Sequence, residues 1–404
     1  MDKGLQTRIT GHGRRFVLFT TFAIFFEIGM PNSILGTAWP EIRAEMGLPL
    51  EYIGILNIAV LTSSMIACIL SGTIIPRFGT SRVMPIAAII YIISMMGVTA
   101  QTTFIGLFLI LIPVGYSNGT MDSGTNLYAA QHFESRNMNI LHCVWGVGAL
   151  MGPLLLIAVT SAGLGWRWCF FVIGVIGIVP LGFIIRSTLK KLWDSQPGLA
   201  EIEADQSVFF KNRLSGAGDQ SLAVMYFFFL GGGGSTIASL LSSYMNSMWG
   251  TGIKTAGIAI TFYLAALTTG RMIAGIIVKR SGNLLMIRIG MVLVFIGAVA
   301  AFIASSPGMY MLAVAVIGLG GGPLFPCMVH ETSHRFTDKA AGKLVGYQVA
   351  ASMLGGSLIS LAVAAYLSAT TMRPMMLIVS VFYLLGLIVN EVIVMRGRSV
   401  KHVA

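Results

Sequence analysis

Polar and apolar positions along this chain come in long blocks. Twelve apolar runs fall near 16–39, 52–75, 83–100, 104–128, 138–162, 167–186, 221–246, 256–279, 284–305, 308–329, 342–368 and 373–396. Each approaches the length of roughly 20 residues at which a helix crosses the hydrocarbon layer of a bilayer. The pattern predicts an all-α polytopic membrane protein of twelve transmembrane helices. The first run follows Arg14-Arg15 without a convincing cleavage site, so it is expected to be a retained span.

The longest polar connector splits the runs six and six. It predicts an N-terminal bundle over 1–186, a linker over 187–220 and a C-terminal bundle over 221–404. An internal repeat supports two halves. Gly72-x4-Arg77-Phe-Gly79 matches Gly275-x4-Arg280-Ser-Gly282 at an offset of 203 residues. Gly152 over Gly355, Leu141 over Leu344 and Gly119 over Gly322 follow the same offset.

Composition strengthens the membrane reading. The chain is 55% hydrophobic and 10% charged, against about 25% charged in soluble domains. Its net charge of +11 would suit a nucleic-acid binder, but the basic residues concentrate in alternate connectors. Arg14, Arg15, Arg77, Arg82, Arg136, Lys279, Arg280, Arg288, Arg335 and Arg396 fall on one side, and Arg43, Arg167, Lys254 and Arg373 on the other. By the positive-inside rule both termini are cytoplasmic. Trp39, Trp166, Trp168 and Trp249 fall at predicted outer ends, where indoles favour the interface. Cys68, Cys143, Cys169 and Cys327 have no metal-ligand spacing.

Charges inside spans are the candidate chemistry, because an ionisable group in the bilayer is costly unless it faces a cavity or a partner. Glu27 lies near the centre of span one and Asp122 within span four. Positions 115, 118, 119, 122 and 126 share one helical face, reading Gly, Asn, Gly, Asp, Asn. This small polar stripe suits a water-filled cavity; the alternative is a structural hydrogen-bond network. Burial favours the neutral form of an acid, so such a group can carry a proton. Asn118 and Asn126 would orient substrate hydroxyls or the acid itself. The second half has no deep acid: at the same offset Asp122 falls on Phe325 and Glu27 on Leu230. It has Arg271, over Cys68, either a partner for Asp122 or Glu27, a gate residue, or a snorkelling side chain.

Further candidates for substrate contact are His142, Trp145, Asn57, Tyr244, Asn246, Tyr347 and Gln348, each of which could equally pack or bond between helices. Glu391 is expected to pair with Arg396, and His330 with Glu331 to close span ten. Gly231 to Gly234 should interrupt span seven. Gly318-x-Gly320-x-x-Pro323 precedes no βαβ unit, so it softens a helix and is no nucleotide loop.

Two parallel six-helix halves are the layout of major facilitator transporters. Gly72-Thr-Ile-Ile-Pro76-Arg77-Phe-Gly79-Thr-Ser-Arg82 resembles that superfamily's loop motif after helix two, with Pro76 where an acid is usual. Asp122-x3-Asn126, Asn139-Ile-Leu-His142-Cys-Val-Trp145-Gly146-Val-Gly148-Ala-Leu-Met-Gly152-Pro153, Gly270-Arg271 and Gly318-Leu-Gly-Gly-Gly-Pro323-Leu-Phe325-Pro326 are similar to the fucose/glucose–proton symporter-like branch. Gly148-x3-Gly152-Pro153 also resembles the helix-five motif of drug–proton antiporters, though Leu154-Leu155-Leu156 follows where more glycine is usual.

The resemblance implies a secondary transporter of the major facilitator fold working by alternating access. In the symporters it resembles, deep acids of helices one and four couple protons to sugar, a role that falls here to Glu27 and Asp122. Arg77, Arg280 and Arg271 would serve gates or charge pairs. The expectation is a monomeric, multi-pass protein of the cell membrane, taking up a small polar solute such as a sugar with protons. Its partners are the solute, protons and the lipid bilayer. It is no enzyme and needs no cofactor, metal or nucleic acid. The rival readings are proton-driven efflux of amphipathic compounds and a transporter-like sensor.

Overall fold

In a computed structural model, residues 3–49, 52–193, 214–251 and 253–399 are described. Most of the predicted linker, with Glu201, Glu203, Asp205, Lys211 and Arg213, lies outside them, as do the two ends of the chain. Twelve helices among the described residues are long and apolar enough to cross a membrane.

The first span is α1 (Lys3–Gly29), a 3-10 turn (Met30–Ser33) and α2 (Ile34–Met46), with Pro31 marking the change of helix type. Then come α3 (Tyr52–Phe78), α4 (Thr80–Val98), α5 (Phe104–His132), α6 (Ser135–Ser161) and α7 (Arg167–Leu189). The second series is α8 (Ala217–Trp249), α9 (Ile253–Ser281), α10 (Asn283–Ile303), the split tenth span α11 (Pro307–Gly321) and α12 (Leu324–Arg335), then α13 (Asp338–Ala369) and α14 (Met375–Ser399). Proline inside α3, α4, α5, α6 and α7 does not end them. Neighbouring helices in a membrane protein can satisfy the freed carbonyls.

Contacts divide the chain into two compact units: Met1–Phe133 with Val144–Glu201, and Glu134–Cys143 with Ile202–Ala404. Inside the first unit α3 packs on α5, α4 on α5 and α7, and α1 on α7. Inside the second, α9 packs on α11, α10 on α11 and α14, and α8 on α14. Counted in spans, the pairings of the two series are the same.

The repeat extends to single contacts. A Cβ at Gly115 would stand 2.4 Å from the Val60 carbonyl, and one at Gly119 2.3 Å from that of Ser64. Offset by 203, a Cβ at Gly318 would stand 2.6 Å from the Tyr263 carbonyl oxygen, and one at Gly322 would run into that of Leu267. These glycines bring backbones together where no hydrophobic effect drives association. The loop motif has a backbone cause as well. Gly79 and Gly282 enter the next helix at φ 84° and 75°, a region open to glycine and strained for other residues.

For spans one and seven the offset changes. A Cβ added at Gly152 would run into the Met30 carbonyl oxygen, whereas one added at Gly355 would run into that of Phe228, a separation of 198 from Met30. Placing Glu27 over Leu230 is therefore corrected; these contacts bring it near Met225.

One further expectation is corrected. Helix α8 runs unbroken through Gly231–Gly234. Gly231 lies against the Ser352 carbonyl, Gly232 against Ile359 and Gly233 against the Tyr383 ring, so these glycines seat neighbours rather than loosen the span. Trp39 and Trp166 are buried inside the first unit, while Trp168 is exposed.

Candidate functional site

The first unit holds both deep acids. On α5, Asn126 is fully buried and its amide donates to Asp122 Oδ1 at 2.9 Å, one helical turn back. Asp122 and Asn118 are half-buried. The Gly115–Gly119 edge of the same stripe is taken by packing on α3. The expected cavity face is thereby narrowed to Asn118 and Asp122. Cys68, also on α3, donates its S–H to the Gly119 carbonyl at 3.3 Å. On the same helix Asn57 is exposed, and Trp145 on α6 is half-buried.

Glu27 is 1% exposed. It points toward α7, where a Cβ at Gly177 would stand 2.1 Å from Oε1 and 3.0 Å from Ile92 Cγ1 of α4. Neither carboxyl oxygen has a hydrogen-bond partner, nor does the buried hydroxyl of Tyr91. An ion gains little compensation in such surroundings. Glu27 and Asp122 thus face different neighbours. Sequence reasoning passed over Tyr91; a phenol inside an apolar span was the available signal.

In the second unit Arg271 donates to backbone oxygens: Nε to Gly322 at 3.3 Å and Nη1 to His142 at 3.2 Å. The His142 ring is buried against Phe325, centroids 5.0 Å apart, and Phe325 meets Phe227 at 5.1 Å. At the repeat position of Asp122 the second unit therefore carries an edge-to-face aromatic cluster.

The remaining polar candidates of this unit do not converge. Tyr244 is buried and stacked on Tyr310 at 4.6 Å. Asn246 is exposed and donates to the Thr251 carbonyl, closing the end of α8 where Gly250 turns left-handed. Gln348 is fully buried and bonded to Thr332, while the adjacent Tyr347 is exposed. Arg77 and Arg280 are exposed at the ends of α3 and α9, and Arg77 lies over the Phe78 ring.

Glu391 pairs with Arg288 of α10, through bonds of 2.9 and 2.5 Å, and Arg396 pairs with Asp219. This corrects the expected Glu391–Arg396 pair, since residues five apart do not share a helical face. His330 bonds to Asn283, which also donates to Glu331, and Glu331 pairs with Arg335 at 2.9 Å. Arg335 in turn reaches Asn390. Sequence reasoning named His330 and Glu331 but missed their partners Asn283, Arg335 and Asn390, because the members of this buried network come from α10, α12 and α14. Among the described residues no cluster of three His, Cys, Asp or Glu could hold a metal.

Comparison with known proteins adds family and fold. The sequence matches the Major Facilitator Superfamily over residues 17–217 and 222–403. Among solved structures, the Escherichia coli fucose:proton symporter FucP, in the outward conformation, superposes with a TM-score of 0.75 at 12% identity, covering 94% of this chain and 99% of FucP. The proton:xylose symporter XylE superposes with a TM-score of 0.75 at 15% identity, covering 94% and 95%.

Two curated relatives match shorter stretches. The probable sulfoacetate transporter SauU of Cupriavidus necator is 26% identical over 174 residues, 41% of this chain and 39% of SauU. The efflux pump roqT of Penicillium rubens is 25% identical over 194 residues, 46% of this chain and 36% of the pump. The matched stretches span well under half the length of these relatives.

Proposed function

The chain belongs to the major facilitator superfamily, and we propose that it is a proton-coupled carrier importing a small polar solute of the sugar class by alternating access. It would work as a monomer in the cell membrane, with both termini cytoplasmic and the halves 1–186 and 221–404 moving as bodies. The observation that carries the proposal is Asp122, a half-buried carboxylate on a small-residue helix face, held by Asn126 at 2.9 Å. Protonation would let this group cross between states as a neutral pair with its solute. Asn118, Asn57 and Trp145 are the first-unit groups proposed to meet the solute. Glu27, closed in by Gly177, is the second candidate for proton coupling. FucP and XylE are sugar–proton symporters of the same fold, which supports the choice of class.

A second reading, proton-driven export, is favoured by the roqT match. A thermal-shift screen with fucose, xylose, sulfoacetate and cationic drugs separates the classes, because a ligand that binds the native state raises its apparent stability. The mechanism is tested in proteoliposomes with the solute so found. Asp122→Asn should abolish accumulation against a gradient and preserve counterflow without one. A mutant that still accumulates solute ends the assignment.

A further inference from the structure

Span ten is broken where two prolines fall three residues apart. In an unbroken helix the carbonyls of Leu319 and Gly322 would bond to the nitrogens of residues 323 and 326. Both are proline and carry no hydrogen. Helix α11 ends at Gly321, α12 begins at Leu324, and the two carbonyls are left to outside partners. The neighbouring span meets both with two adjacent residues. The Leu319 oxygen lies so close to Gly270 that a Cβ there would stand 2.2 Å away. The Gly322 oxygen accepts from Arg271 Nε at 3.3 Å, and the Nη1 arm of Arg271 reaches the His142 oxygen at 3.2 Å.

We propose that Arg271 is a positioning residue, the pivot of the span-ten break, acting on backbone carbonyls rather than on an acid or a charged solute. The repeat provides an internal comparison. In the first series the Gly119 carbonyl faces Ser123, which keeps its N–H, and α5 runs unbroken. The residue at Arg271's place there is Cys68, a weak donor, on the same carbonyl position at the same 3.3 Å. Where proline removed a backbone donor, a strong forked one stands instead. A guanidinium with five donors on a long stem can follow a moving carbonyl, which a backbone N–H cannot. The bend at Gly321–Pro323 can therefore change its angle without stranding the Gly322 oxygen. Its use in turnover rests on the transporter reading; the contact itself does not.

The test is a mutant cycle that needs no solute. Arg271→Met removes the donors, and Pro326→Ala returns an N–H to the ladder. In detergent, Arg271→Met should lower the melting temperature. Pro326→Ala should leave it unchanged or raise it, and the double variant should recover more than half of the loss. If Arg271→Met does not accumulate as folded protein, recovery of expression in the double variant counts the same way. Opening of the break is followed separately by N-ethylmaleimide modification of Cys327, a buried thiol beside Pro326, by peptide mass spectrometry. Pro326→Ala should slow it several-fold and Arg271→Met should speed it. A double variant no better than Arg271→Met, or a modification rate indifferent to Pro326→Ala, overturns the proposal. Loss of proton coupling at Asp122 is measured in a different assay and leaves this result standing.

Discussion

The side-chain amide of Asn126 donates to Asp122 Oδ1 at 2.9 Å, from a position with no solvent exposure. A hydrogen bond to a charged group contributes about 1.5–3 kcal/mol. Asn126→Ala should therefore reduce proton-driven uptake roughly tenfold or more, taking 1.4 kcal/mol per decade. Counterflow without a gradient should change far less, because the proposed solute contact at Asn118 is left intact. Equal losses in both assays would make Asn126 a packing residue.

How much of this was legible beforehand can be judged residue by residue. Block length alone marked the twelve spans, because a bilayer fixes helix length. The match of Gly119 with Gly322 held down to single contacts, because both glycines seat a neighbouring backbone. Asp122 and Asn126 were readable as a pair, because i, i+4 spacing fixes their approach. Partner choice between helices was not readable. Glu391 takes Arg288, 103 residues away, and sequence spacing carries no trace of that pairing. The surroundings of Glu27 were hidden for the same reason: Gly177 reaches it from another helix, α7.

The ion pairs of the second unit should differ in weight. Glu391–Arg288 is 32% and 41% exposed at its side chains, whereas Glu331–Arg335 is 14% and 1% exposed. An exposed pair is worth about 0–1 kcal/mol, and removing one partner of a buried pair costs about 3–5 kcal/mol. Glu391→Ala should leave the melting temperature nearly unchanged, while Glu331→Ala should lower it strongly. Similar shifts for the two variants would contradict the burial argument.

Outside the spans, Glu45 accepts from Arg167 at 2.5 Å and from Trp166 Nε1 at 2.9 Å. The hydrogen bonds from Arg167 and Trp166, with the Arg167 charge, hold its carboxyl below its ordinary value of 4.5. A depressed folded value means that the stabilisation is complete above pH 4.5 and is lost as pH falls through the lower folded value. The side chain is 48% exposed, so the contribution stays below about 1 kcal/mol. Melting temperatures of wild type and Glu45→Gln should differ slightly at neutral pH and converge as pH falls through the lowered folded value. A difference that persists in acid would mean that the carboxylate charge is not what holds this corner.

The glycine seam gives the sharpest test of why the two helix series fold alike. A Cβ at Gly119 would stand 2.3 Å from the Ser64 carbonyl, and one at Gly322 2.4 Å from that of Leu267. Both obstacles are backbone, so neither can rotate away, and α3 must part from α5 or α9 from α11. Overpacking of this kind typically costs about 1–3 kcal/mol. Gly182, inside α7, has nothing within 4 Å of its would-be Cβ, and alanine in a helix interior is favoured over glycine by roughly 0.5–1 kcal/mol. Gly119→Ala and Gly322→Ala should therefore each lower the melting temperature by similar amounts, while Gly182→Ala should hold or raise it. The paired result carries the argument. If Gly119→Ala is harmful and Gly322→Ala is tolerated, close backbone approach is a property of one half only, and the shared offset of 203 would no longer mark a shared packing rule.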